Sequence, residues 1–302
     1  MKSNVLRSPF FYVGDKYKLM PQLGKLFPKN ISTYIEPFVG GGSSFLNTAA
    51  NNYLLNDIDI YVIKLHKLLC RYSNNQSMFI DELYYLIDKY GLSCSNKGIT
   101  VPDELKKKYV KTYYSQFNKF AYNQLKEDYN SSNDDILLYL LLIYGFNHMI
   151  RFNRSGKFNL PVGNVDFNKN VYKAIINYLD FVENKNIKFE NQDFESFLKN
   201  ADYDNDSYIY LDPPYLISGS EYNKLWSVDE EKRLCTLLDE LNQKGVRFGI
   251  SNLVSHKGKN NEIFKEWSKN YHLFDVKSNY ISFNDNTIKQ NSNEVFVTNY
   301  VN

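Results

Sequence analysis

Short apolar runs alternate with helix-length amphipathic stretches at both ends of this chain, and the alternation stops in the middle. Thr33-Tyr34-Ile35 reads as a strand, followed by a glycine turn and a helix-like stretch over 43–50. Tyr53-Leu54-Leu55 is a second strand, leading into a helical pattern over 61–69. After residue 170 come a helix over 171–182 and strands over 187–190 and 208–211. A helix over 228–242, a strand over 246–250, a helix over 262–269 and a last strand over 294–300 complete the series. Ser227, three residues before Glu230, supplies a capping box for the helix at Val228. Such alternation implies an α/β fold, a mainly parallel sheet with helices on both faces.

The middle, 70–168, has no such alternation. Pro102-Asp103-Glu104 starts a helix, with proline in the first turn and acids at the positive dipole end. Leu105, Tyr109, Tyr113, Phe117 and Phe120 then recur at helical spacing and predict one apolar face, with Lys106, Lys107, Lys108 and Lys111 mostly off it. The apolar run over 136–146 is too short for a bilayer and reads as a buried helix. The expectation is a mainly helical insertion with its own small core, dividing the chain into a domain of 1–69 plus 169–302 and an inserted 70–168.

At 302 residues the chain can hold one large domain or a domain with an insertion. Its 43% hydrophobic and 23% charged content is that of a globular protein. A net charge of +2 is too small to mark a nucleic-acid binder, so any basic surface has to be local. Cys70, Cys94 and Cys235 form no CxxC pattern and the four histidines are scattered. Reduced thiols, a cytoplasmic location and no metal centre are expected. No apolar segment follows Lys2 and Arg7, so neither a signal peptide nor a membrane partner is expected.

The chemistry concentrates behind the predicted strand 208–211, at Asp212-Pro213-Pro214-Tyr215. Neither proline can donate to a sheet ladder, so the strand ends there and leaves a carboxylate, rigid carbonyls and a ring at its C-terminal edge. Open α/β sheets bind ligands at that edge. Upstream, Glu36-Pro37-Phe38-Val39-Gly40-Gly41-Gly42-Ser43 joins a strand to the expected helix. Its glycines let backbone approach a ligand, and a helix N-terminus offers free N–H groups to a phosphate or carboxylate. It is not a P-loop, because no GK[ST] ends it. Asn56-Asp57 closes the second strand at a spacing suited to ribose hydroxyls. Together these suggest a nucleoside cofactor without a pyrophosphate. Asp193-Phe194 could hold its base, or Asp193 could cap a following helix. In the segment 151–163, Arg151, Arg154 and Lys157 stand among Phe152, Phe158 and asparagines that include Asn153 and Asn159. Arginine and asparagine suit bidentate base readout, and an inserted ring can help unstack a step.

In their order along the chain these segments resemble the D12-class (Dam-like, α-ordered) DNA adenine-N6 methyltransferases. Tyr12-Val13-Gly14-Asp15-Lys16 is similar to the family's W-A-G-G-K segment, with Tyr12 for Trp and Asp15 for Gly. Glu36 to Ser43 resembles its E-P-F-x-G-x-G-S loop, and Asn56-Asp57-Ile58 its acidic second strand. The 151–161 segment resembles its R-Y-N-x-x-G-x-F-N-V-P hairpin, Asp212 to Tyr215 its catalytic tetrapeptide, and Ile250-Ser251-Asn252 a later strand end. The resemblance implies a Rossmann-like methyltransferase sheet and an inserted target-recognition domain. S-adenosylmethionine is the implied cofactor, double-stranded DNA the substrate, and a cognate restriction endonuclease a possible partner. By carry-over, Tyr12, Lys16, Pro37, Phe38, Gly40, Gly42, Asp57, Asp193, Phe194 and Asp212 would contact the cofactor. Arg151, Phe152, Asn153, Arg154, Ser155, Lys157 and Asn159 would contact DNA. Ser155 stands where some relatives that read GATC have Arg, which leaves the recognition sequence open.

The residues fit that chemistry. The exocyclic amine of adenine is a poor nucleophile because its lone pair is delocalised. Two acceptors aimed at its hydrogens, the Asp212 carboxylate and the Pro213 carbonyl, would favour pyramidal nitrogen, and Tyr215 could stack on the base. A duplex hides the amine, so the base must be flipped out. Competing readings are a cytosine-N4 methyltransferase, where Ser more often replaces Asp212, and a catalytically silent DNA-binding homologue.

Overall fold

The computed structural model describes residues 5–12, 14–218, 226–277 and 292–301. Val13 of the Tyr12–Lys16 segment lies outside them. A short helix α1 (Met20–Leu23) precedes β1 (Thr33–Glu36), β2 (Asn52–Asn56) and α2 (Ile60–Arg71). The middle contributes α3 (Gln76–Tyr90), α4 (Asp103–Lys108), α5 (Tyr113–Ser132) and α6 (Asp135–Tyr144). The second half runs α7 (Lys169–Val182), β3 (Asn186–Glu190), α8 (Phe194–Lys199), β4 (Tyr208–Leu211) and α9 (Val228–Gln243). It ends with β5 (Arg247–His256), β6 (Lys259–Asn260), α10 (Glu262–Trp267), β7 (His272–Val276) and β8 (Ser292–Thr298).

Among the described residues these strands form one sheet in the order β3-β2-β1-β4-β5-β8-β7, with β6 beside β5. The first five are parallel, and β8 runs antiparallel between β5 and β7. The fold is mixed α/β around a mostly parallel sheet, as the alternation predicts. Strand periodicity divides two buried layers. Tyr34, Tyr208, Tyr210 and Phe296 face one core with α2, α5, α6 and α7, while Ile35, Ile209, Leu211, Val295 and Val297 face the other with α8, α9 and α10.

Several expectations need correction. The helix expected over 43–50 is a single 3-10 turn, Phe45–Asn47, after which Thr48 is extended. The Asn47 side chain is turned to the backbone of Leu6, donating to its carbonyl and accepting from its N–H at 2.8 Å each. The single helix expected from Pro102 breaks between Lys108 and Tyr113, and its apolar stripe is out of phase. Phe120 is 82% exposed, whereas Asn118, Ala121, Tyr122, Leu125 and Tyr129 turn inward. The middle helices have no core of their own: Phe79, Leu83, Tyr122 and Leu141 belong to the same buried cluster as Tyr34 and Tyr53. Every residue from Ile136 to Tyr144 is buried, as the apolar run predicts, but the helix ends there and Phe146, the last residue of that run, is exposed. Strand β5 runs past Asn252 to His256, because β8 pairs with it there across a bulge. Among the described residues no helix is long and apolar enough to cross a membrane, and the three cysteines are unpaired.

Candidate active site

Strand β1 lies between β2 and β4, so the chain leaves it on one side and returns on the other. The crevice outside the C-terminal ends of β1 and β4 is therefore the sheet's topological switch point. Glu36 ends β1, Asp57 follows β2 and Asp212 follows β4, which brings three carboxylates to one edge. The side chain of Asn56 ties this edge together. It donates to the carbonyls of Pro37 and Gln192 and accepts from the Gln192 N–H, at 2.9–3.1 Å.

Asp212 sits in a compact ionic cluster. Lys16 Nζ is 2.9 Å from Asp212 Oδ1 and 3.7 Å from Glu294 Oε1. The Tyr215 hydroxyl lies 3.1 Å from Asp212 Oδ1 and 2.9 Å from Glu294 Oε1, with Lys16 Nζ 4.9 Å from the centre of its ring. Lys16 and Glu294 are buried, at 6% and 1% exposure. Burial by itself would lower the Lys16 pKa, but Asp212 and Glu294 outweigh it and the net shift is upward. Burial raises the pKa of Asp212, against the opposing pull of Lys16. Both neighbours engage Oδ1, and no hydrogen bond to Oδ2 is found among the described residues. Glu294 was not legible as a site residue, because β8 reaches β4 only across β5 and nothing in the local sequence marks it.

The glycine turn is built by the protein's own rings. Tyr12 packs on Gly40 and Gly41, and Gly42 has φ +80° with His66 so close that a Cβ would stand 2.9 Å from its ring. The Gly40 N–H donates to Asp57 Oδ2 at 2.9 Å, while Asp57 Oδ1 accepts from Asp59 N–H at 2.9 Å. Burial raises the Asp57 pKa to about 6, despite these donors. Glu36 is 2% exposed and its Oε2 has no hydrogen-bond partner among the described residues. Burial, then the charge of Asp212, push its pKa well up.

Next to this turn, the Phe38 ring lies 5.5 Å from Phe194 and 5.6 Å from Trp226. Asp193 caps α8, accepting from Glu195 N–H at 3.0 Å, and also pairs with Arg233. The capping alternative for Asp193 is therefore present, and Phe194 is buried beneath the Arg233 guanidinium, 4.4 Å from its centroid.

The 151–161 segment is a hairpin, with Phe152 bridged to Phe158 and the N–H of Asn159 donating to the Arg151 carbonyl at 3.0 Å. Arg151 Nε and Nη2 both bond Asn159, at 2.9 Å each. Asn153 Oδ1 shapes the loop by accepting from Ser155 N–H and hydroxyl and from Lys157 N–H. Phe158 is buried and Phe152 stacks on Tyr61 of α2 with centroids 4.0 Å apart, so both rings face the protein. Arg151, Asn153, Arg154, Ser155, Lys157 and Asn159 are all exposed, and of these Arg154 and Lys157 are tip cations with no side-chain bond inside the hairpin among the described residues. Since α2 follows Asp57 directly, Tyr61 seats the hairpin beside the C-terminal edge of the sheet.

The family model for D12 class N6 adenine-specific DNA methyltransferases matches residues 12–281. The type II methyltransferase M.FokI of Planomicrobium okeanokoites is 32% identical over 99% of this chain and 44% of its own length. The modification methylase StsI of Streptococcus sanguinis is 31% identical over 98% of this chain and 43% of its own. The chain thus spans less than half the length of these two relatives. The DNA adenine methylase of Escherichia coli is 26% identical, over 96% of this chain and 94% of its own length. With the tetrapeptide, the glycine turn and the hairpin at one sheet edge and a family match over most of its length, the chain belongs to the D12 class of N6 adenine-specific DNA methyltransferases.

Proposed function

We propose that the chain transfers a methyl group from S-adenosylmethionine to the N6 amine of an adenine flipped out of double-stranded DNA. The observation that carries this is the Asp212 carboxylate, pinned through Oδ1 by Lys16 and Tyr215 at the switch point, with no hydrogen bond to Oδ2 among the described residues. When bound, the cofactor supplies an electrophilic methyl group on a sulfonium. Asp212 Oδ2 and the Pro213 carbonyl accept the two amine hydrogens and turn the nitrogen lone pair toward the methyl carbon. Methyl transfer would leave the amine with a proton to shed, and Asp212 would be the carboxylate to take it. Tyr215 is buried with its hydroxyl engaged, so stacking on the base requires its ring to become accessible.

The site suits a zwitterionic nucleoside. Glu36 offers a buried acceptor in want of a donor, which an ammonium would supply. Tyr12, Pro37, Phe38, Gly40 and Gly42 would bound the cofactor, Asp57 would take the ribose hydroxyls, and Asp193 with Phe194 would border the adenine. Residues 1–69 and 169–302 would form the catalytic unit and 70–168 the recognition unit. The tip residues Arg154, Ser155 and Lys157 would meet the duplex, on a frame made by Arg151, Phe152, Asn153 and Asn159. Relatives named as modification methylases favour a restriction-modification role with a cognate endonuclease, and those named as DNA adenine methylases a stand-alone one. Acting on DNA in the cytoplasm would keep the unpaired cysteines reduced. Incubation with labelled cofactor and unmethylated DNA, followed by nucleoside digestion, tests the reading. Label in N6-methyladenine is expected; label in N4-methylcytosine, or DNA binding without transfer, would overturn it.

A further inference from the structure

His66 lies on α2, outside every motif above, yet it is fully buried against the glycine turn. Its Nε2 is 2.8 Å from the Gly40 carbonyl oxygen and its Nδ1 2.8 Å from the Tyr178 hydroxyl on α7. A carbonyl can only accept, so Nε2 carries the proton and Nδ1 accepts from the Tyr178 O–H. The Tyr178 hydroxyl in turn meets the Cys70 thiol. The ring cannot swing away, because it stacks on Phe189 at 5.0 Å and 15° and meets Phe10 and Phe45 edge-on. Gly40 is therefore held on both sides of its own residue, the carbonyl by His66 and the N–H by Asp57.

We infer that His66, with its tautomer set by Tyr178, is a positioning residue that fixes the glycine turn in the shape that binds the cofactor. This rests on the proposed use of that turn for S-adenosylmethionine. The arrangement does more than fill space. A phenylalanine would pack as well, yet it would leave the Gly40 carbonyl and the Tyr178 hydroxyl without their partner. With that tether gone, ordering of the turn would have to be supplied by cofactor binding itself, and affinity would fall.

Calorimetric titration of the full chain with S-adenosylmethionine tests this, with DNA affinity measured in parallel. His66→Phe should weaken cofactor binding about tenfold, while His66→Gln, whose amide can still donate to Gly40, should recover most of the loss. Tyr178→Phe, which removes only a hydroxyl and keeps the ring, should weaken binding about threefold even if His66 variants fail to fold. DNA affinity should be unchanged in all three. If the wild type binds cofactor and both His66→Phe and Tyr178→Phe bind it equally well, the inference is overturned while the proposed function stands. If the wild type binds no cofactor, the proposed function fails and the inference falls with it.

Discussion

Lys16, ahead of the first strand, places its ammonium 2.9 Å from the carboxylate of Asp212, behind the fourth. A second carboxylate, the buried Glu294, lies 3.7 Å from the same ammonium. The Lys16 ammonium thus lies between two acids from separate strands.

Replacing Asp212 should remove the acceptor without disturbing the sheet. Asp212→Ala is expected to lower kcat by about two to three orders of magnitude with the circular dichroism spectrum preserved, and to lower the melting temperature because the buried Lys16 ammonium loses its partner at 2.9 Å. Single-turnover transfer at saturating cofactor is the measurement, and near-normal turnover would refute the assigned role.

Lys16→Met should act on both stability and pH dependence. Removing the ammonium that lies 2.9 Å from Asp212 and 3.7 Å from the buried Glu294 is expected to cost about 3 kcal/mol, read by denaturant unfolding at neutral pH. Lys16 opposes the upward push of burial on the Asp212 pKa, so its loss lets that pKa rise further. The acid limb of the pH–rate profile should accordingly move to higher pH. An unmoved limb would show that Asp212 ionisation does not govern the rate.

Glu294→Gln keeps an acceptor for the Tyr215 hydroxyl and removes a charge from Lys16. A fall of about tenfold in kcat is expected, with KM for DNA nearly unchanged. Equal losses in both parameters would point to misfolding or lost DNA contact instead.

At the hairpin tip, Arg154→Ala and Lys157→Ala should weaken DNA binding and each reduce the slope of log K against log salt by about one. Cofactor affinity should not move. Arg151→Ala differs, because Arg151 is bonded to Asn159 within the hairpin. Its effect should resemble loss of hairpin order, visible as amide exchange at Asn153 and Asn159.

Acid stability should report on His66. Burial lowers its pKa from 6.5 to about 4, so between those values the unfolded chain binds a proton that the folded one refuses. His66 therefore contributes a loss of stability as pH falls through this window, up to about 3 kcal/mol, and nothing above it. Asp57 works the other way. Its folded pKa, raised to about 6, makes its ionisation a cost above that pH which is relieved on acidification. Relative to wild type, His66→Gln should gain stability between pH 6.5 and 4; parallel unfolding curves for the two proteins would contradict the buried neutral imidazole.

Most strands and their flanking helices were legible because alternation of apolar side chains is a local property. β4 ends where Pro213 requires, and α9 begins at the Ser227 cap, whose hydroxyl accepts the Glu230 N–H at 3.2 Å. The helix expected over 43–50 is only the turn Phe45–Asn47, because the chain becomes extended at Thr48, and Asn47 there bonds both the Ser43 carbonyl and the distant Leu6 backbone. The stripe ending at Phe120 was misread because spacing alone does not say which side of α5 meets the core.

The sequence by itself determined that a carboxylate, a double proline and a tyrosine would end a buried strand, and that a glycine turn and an acid would stand at two others. Those follow from rules acting within a few residues: prolines cannot extend a ladder, and side chains alternate along a strand. Only the tertiary structure decided that Lys16 and Glu294 close on Asp212, that His66 holds Gly40, and that Tyr61 seats the hairpin. Each of these joins groups from separate elements, and what brings them within hydrogen-bond range is the strand order, with β8 set against β5, and the packing of α2 against the sheet.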